Sequence, residues 1–258
     1  MFLVIKIIIV MVALILAGGL AAQDQAPADS VYPAGISIAG GTGHFAVTDE
    51  YISKEKYSGS LPYFSFNWSR MHESYGYRLG FMFRSGSNIK NHNISTEITE
   101  ALLSNHFLYP LAPVSVFGRP MSLFAGPSSE FYIFYNKPDI AVSGFDYAQS
   151  FAALLSLGGR IESYLPLSKK FVVEGGLGLG LLSLGLRMVD SEEDDASPAR
   201  LLTVFSGTHG NFDLGIRYRI SEHLSVRAGY TFQLTWISSW DPLLAASDNL
   251  TAVLMYEY

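Results

Sequence analysis

The sequence predicts an all-β chain: an antiparallel up-and-down transmembrane β-barrel of about ten strands, with eight the alternative count, preceded by a signal peptide. Three observations carry that reading. Of the 258 residues 49% are hydrophobic and 16% charged, yet beyond residue 22 no apolar run is long enough for a spanning helix. A membrane chain without spanning helices must satisfy its backbone in a closed barrel. Segment after segment alternates apolar with small or polar residues, the period of a strand with two unlike faces. The 15 Tyr, 17 Phe and 24 Gly suit aromatic girdles outside a barrel and small residues inside a narrow lumen.

The first element is the leader. Residues 1–22 comprise a short start with Lys6, an apolar core from Ile7 to Leu16, and the small-residue stretch Ala17-Gly18-Gly19-Leu20-Ala21-Ala22 ahead of polar Gln23. That is the order of a secretory signal peptide, with cleavage expected after Ala21 or Ala22. Residues 23–33, with Pro27 and Pro33, read as a flexible arm, and 34–258 as the barrel domain.

Strands are expected near 35–46, 58–69, 75–86, 97–109, 120–136, 146–162, 170–188, 200–219, 224–237 and 249–258. Tyr75, Tyr77, Leu79, Phe81 and Phe83 share one face, with Gly76, Arg78, Gly80, Met82 and Arg84 opposite. Leu224 to Trp236 and Phe212 to Tyr218 alternate in the same way, against Arg227 and against Asp213, Arg217 and Arg219. The segment from Phe171 to Leu186 looks helical in its apolar content, but five glycines would each cost roughly 1 kcal/mol in a helix. As a strand it sets Phe171, Val173, Leu177, Leu179 and Leu181 against Glu174, Gly176, Gly178 and Gly180. Short turns at 70–74, 165–169 and 220–223, and a longer one through 110–120, alternate with longer loops at 47–57, 87–96, 137–145, 189–199 and 238–248. An even strand count then puts both termini on the periplasmic side.

In the last segment Leu250, Ala252, Leu254, Tyr256 and Tyr258 alternate with Asn249, Thr251, Val253, Met255 and Glu257. This resembles the terminal-strand signature of bacterial outer-membrane proteins. The chain is similar in pattern to the small barrels that include OmpA-like and OmpX-like domains, with one hairpin more than those eight-stranded members. The resemblance implies passage through the inner membrane and residence in the outer membrane, among its lipid and lipopolysaccharide. It also implies that Leu254, Tyr256 and Tyr258 act as an assembly signal for the barrel-assembly machinery. It implies an architecture and no activity.

The remaining composition narrows the chemistry. A formal charge of −6 without a basic patch argues against nucleic acid, and the absence of cysteine excludes thiolate metal sites and a lipid anchor on an acylated Cys. No cofactor or metal motif is present, and the acidic run Asp190, Glu192, Glu193, Asp194 and Asp195 lacks calcium-loop spacing. The alternation points Arg78, Arg84, Arg160, Glu174, Asp213, Arg217, Arg219 and Arg227 into the lumen, where pairing into a polar plug is expected. External loops would then work at the envelope surface. The alternatives are a narrow pore lined by arginine and a hydrolase acting on lipid A or peptides. For the latter, His209 and Asp213 lie roughly 13 Å apart along one strand, too far for a dyad, and nothing in sequence sets a carboxylate beside His106. Tyr32, Tyr75, Tyr109, Trp236 and Trp240 are expected at membrane interfaces.

Overall fold

The computed structural model describes residues 32–72, 74–92, 94–139, 149–187 and 198–258. The expected leader at 1–22, most of the arm and the acidic run at 190–195 lie outside them. The strands are β1 (Gly35–Asp49), β2 (Ser53–Met71), β3 (Gly76–Lys90), β4 (Ser95–Val116), β5 (Arg119–Pro138), β6 (Ser150–Pro166), β7 (Phe171–Arg187), β8 (Ala199–Thr203), β9 (Gly207–Arg219), β10 (Leu224–Ile237) and β11 (Leu243–Glu257). Every neighbour is antiparallel, β1 pairs with β11, and β6 pairs with β7, so the sheet closes on itself. The short β8 pairs with the far half of β7 and β9 with its near half, so the two occupy one place in the wall. The result is a ten-position barrel, and the expected strand at 200–219 is interrupted only at 204–206.

Strands are longer than the alternation marks. β4 and β5 run through the expected turn at 110–120 and meet in a two-residue hairpin, Phe117 and Gly118, both at positive φ (53° and 73°). Positive φ at both central residues twists a tight hairpin to match its strands. At the opposite end the loop at 91–94 is held by the Asn91 side chain, which accepts a bond from the Ile94 amide at 2.7 Å.

The faces follow the alternation. Ile36, Ile38, Phe64, Phe66, Phe81, Phe83, Leu155, Leu214, Ile216, Leu250 and Leu254 stand exposed on the outside as an apolar belt. At the end carrying the termini the belt meets an aromatic girdle. There Trp68 packs on Tyr77 and Tyr77 on Phe107 with ring centroids 5.5 and 5.1 Å apart, and Trp68 donates to the Tyr258 hydroxyl at 2.6 Å across the closing seam. Tyr75 and Tyr109 join this girdle, and Trp236 lies on the outer face of β10. Two expected interfacial aromatics are placed otherwise. Trp240 packs on the interior cluster with Arg200 over its ring, and Tyr32 turns inward, only 5% exposed, against Leu108, Phe124, Tyr164 and Val172. An apolar ring at the lumen mouth outcompetes the interface because it buries Tyr32 on all sides.

On β7 the expected division holds up to Leu181. There the pairing to β6 slips by one residue: Leu157 faces Leu182, and Gly158 faces Gly180, leaving Leu181 as a bulge. The extra residue flips the parity, so Leu182, Leu184 and Leu186 also face outward. Below the bulge the inward glycines make room for large neighbours. A Cβ on Gly176 would stand 2.5 Å from Arg160 Nη2 and 2.6 Å from Asp213 Oδ1, whereas one on outward Gly40 would meet nothing within 4 Å. Gly176→Val is therefore expected to destabilise the barrel by about 3 kcal/mol by separating a largely enclosed ion pair. Gly40→Val should be nearly neutral. Urea unfolding, read by the loss of heat-modifiable migration on gels, compares the two; equal effects would refute the close-approach argument.

Candidate functional site: a filled lumen

The inward side chains form layers from the terminal end to the far end. Tyr32 and its aromatic and aliphatic neighbours close the terminal mouth, with the Arg78 guanidinium 5.6 Å over the Tyr32 ring. Above them runs a chain of ion pairs. Arg78 meets Glu162 at 2.6 Å, Glu162 meets Arg160 at 2.6 Å, and Arg160 meets Asp213 at 2.5 Å. Asp213 lies 3.5 Å from Arg227, which meets Glu174 at 3.1 Å. Glu174 meets Arg217 at 2.6 Å, and Arg217 meets Glu257 at 2.9 Å. Arg219, 45% exposed at the terminal rim, ends the chain 3.7 Å from Glu257. Cation and anion alternate at every step, drawn from β3, β6, β7, β9, β10 and β11.

Neutral groups complete the coordination. Tyr164 donates to Glu162, Arg160 donates to Asn211 at 2.6 Å, and Asn211 donates to Glu130 at 2.9 Å. A cavity of about 160 Å³ lies beside this chain, lined by Ser65, Asn67, Ser104, His106, Glu130 and Arg160 among others. That is room for a few waters rather than a channel.

Arg84 stands apart from the other expected lumen residues. It pairs with Glu100 at 2.8 Å and bonds Gln233, while Tyr132 donates to Glu100. His209 stacks on Tyr132, centroids 5.1 Å apart, and its Nδ1 lies 2.8 Å from Thr235 Oγ1. Beyond this set the lumen turns apolar: Phe45, Val47, Tyr57, Leu61, Ile89, Ile98, Phe134, Leu154, Ile237 and Leu243 are all buried in one cluster. The far rim carries a last pair, Asp49 with Arg187, joined to Asn136 at 3.1 Å.

All eight expected lumen residues thus face inward or the terminal rim, and all but Arg84 belong to one chain. Their partners Glu162, Glu257 and Glu100, and Glu130, which accepts from Asn211, were not among the expected residues. Glu162 lies two residues from Arg160 and Glu257 on the polar side of the terminal strand, so parity alone would have placed both. Glu100 and Glu130 sit on strands whose alternation is weak in sequence. Leu254, Tyr256 and Tyr258 are exposed on the outer face of the last strand. Neither histidine considered for catalysis is accessible: His106 is 4% and His209 1% exposed. His209 meets a hydroxyl and an aromatic ring; His106 Nδ1 has no hydrogen-bond partner among the described residues.

No protein-family profile and no curated protein matches the sequence. Solved structures do share the fold. The outer-membrane protease OmpT of Escherichia coli matches over 90% of this chain and 99% of its own, with TM-score 0.50 and 9% identity. Neisserial surface protein A matches over 87% of this chain and 98% of its own at 11% identity with TM-score 0.38. The Ail attachment invasion locus protein of Yersinia pestis does so over 87% and 99% at 10% identity with TM-score 0.29. At 9% identity the likeness to OmpT is one of fold alone. The closed antiparallel wall, its outward apolar belt and its charged interior make this chain a bacterial outer-membrane β-barrel.

Proposed function

We propose that this barrel is a closed, non-conducting one whose lumen is a structural plug and whose work is done by its outer face and far-end loops at the envelope surface. The observation that carries the proposal is the stacking of three obstructions: the Tyr32 ring of apolar contacts, the alternating ion chain, and the apolar layer around Phe45, Tyr57 and Phe134. An anion pore needs arginines free to meet a passing ion. Here each expected lumen arginine faces a carboxylate, and the layer beyond is packed with buried apolar side chains. Lipid and lipopolysaccharide of the outer leaflet are the proposed surroundings. Leu254, Tyr256 and Tyr258, outward on the last strand, are the proposed contact for the barrel-assembly machinery.

In planar bilayers the refolded chain is expected to show no steady conductance; a stable channel with anion preference would establish the pore instead. Glu174→Gln tests the role of the chain of ions separately. It weakens the pairing of Arg217 and Arg227 at once, so urea unfolding should show a loss of about 3 kcal/mol with conductance still absent. A pore lined by these residues would instead keep its stability and change its ion selectivity.

A further inference from the structure

The register of the closing seam brings together three residues that lie far apart in sequence. His44 on β1 is the partner of Asp248 on β11 and, on its other side, of Ser60 on β2. All three face outward and are exposed. We infer that Asp248, His44 and Ser60 form a hydrolytic triad on the outer wall, cleaving acyl esters of lipids in the far leaflet of the membrane.

The placement favours that substrate class. Outward residues of β2 run Trp68, Phe66, Phe64 and Pro62 from the terminal end, then change to Ser60 and Ser58. Those of β1 run Ile36 and Ile38, then Gly40, Thr42 and His44. The row therefore lies where the belt gives way to polar surface. Because barrel strands tilt, it crosses that edge obliquely. Asp248 has exposed Leu250 next on its face, Leu244 beyond Ala246 on the other side and Phe232 as its β10 partner, so apolar surface borders it more closely than Ser60. The edge between hydrocarbon and headgroups is the depth of a lipid's ester carbonyls, and a group facing outward there is reached by laterally diffusing lipid.

A structural role does not account for the row. A carboxylate on the lipid face of a barrel costs free energy, and Asp248 forms no ion pair among the described residues to offset it. The three side chains make no hydrogen bond to one another. Cross-strand partners hold their Cβ atoms about 4.5–5.5 Å apart, so rotamer changes suffice to set one imidazole nitrogen on Asp248 and the other on Ser60.

The chemistry balances with water as the only co-reactant. His44 takes the Ser60 proton as Oγ bonds to the ester carbonyl carbon. The C–O bond to the alcohol breaks, and His44 returns the proton to the departing alcohol oxygen. Water, deprotonated by His44, then cleaves the acyl-serine, releasing a fatty acid and restoring Ser60. Asp248 orients the ring and stabilises its cationic form without taking the proton. Thr42, diagonal to Ser60 on the same face, donates to the Leu61 carbonyl at 3.5 Å and would have to turn from it to meet the developing oxyanion.

This inference goes beyond the closed-barrel reading and is independent of conductance, so the two fail separately. The refolded full chain is incubated in mixed micelles with a diacylglycerophospholipid in one arm and lipopolysaccharide in the other. Released fatty acid is measured, and a fluorophosphonate probe is mapped by peptide mass. The expected result is labelling at Ser60 and release from at least one lipid, with the positive arm naming the source. Release should fall about 100-fold or more in S60A and H44A and about 10-fold or more in D248N, all three keeping heat-modifiable migration, with S58A unchanged. Absence of both release and labelling in the wild type, or undiminished release in S60A, overturns the triad.

Discussion

A charge enclosed in a narrow barrel must meet its opposite, and the interior of this protein is arranged around that requirement. Leaving one ion of a buried pair without its partner costs about 3–5 kcal/mol. The solution here is a strict alternation from Arg78 to Arg219, in which each interior member has a neighbour of opposite sign on either side. Guanidinium groups suit this task because they are planar and multiply donating, so Arg160 meets Glu162, Asp213 and Asn211 at once. The glycines follow from the arginines. Gly176, Gly215 and Gly229 lie where a Cβ would press on Arg160 or Arg227, so the small residues of β7, β9 and β10 record the volume of charges carried elsewhere.

The ion chain also fixes register. A strand shifted by one residue turns its inner face outward, and here that would expose arginines to lipid while burying leucines among carboxylates. Because the chain draws on six strands, each pairing constrains the others. The apolar layer beyond it is less particular, since hydrophobic contacts tolerate small displacements. Division of the lumen into an ionic part near the termini and an apolar part near the far end thus separates specificity from bulk burial.

The two faces of each strand were legible in sequence because side-chain alternation has a period of two that survives any choice of neighbour. Arg78, Arg84 and Arg227 could be placed inside on that ground alone. What alternation lacks is lateral information. Strand ends were underestimated because polar residues near the rims, such as Thr48, Thr96 and Lys137, look like loop while remaining in the ladder. The Leu181 bulge was invisible because a Leu-Leu doublet breaks the pattern without saying which residue is extra. Tyr32 read as an interfacial aromatic, since its pocket is assembled from β4, β5, β6 and β7. Pairing partners are equally hidden: Glu100 meets Arg84 and Ser60 stands beside His44 only through register, which no single segment encodes.

The filled lumen bears on where this barrel can do chemistry. A side chain acts on a substrate only if the substrate can reach it, and the histidines inside are sealed by the same packing that satisfies the arginines around them. His209 is held between Tyr132 and Thr235, and His106 lies beside a cavity too small for more than water. Opening that interior would expose ions whose pairing stabilises the wall, so access and stability oppose each other there. On the outer wall they do not. A residue facing the lipid contributes little to closing the barrel, and replacing it leaves the interior unchanged. Polar groups on that surface are therefore poorly explained by folding, and the adjacency of a carboxylate, an imidazole and a hydroxyl on three neighbouring strands is the place where function and fold can be separated by substitution.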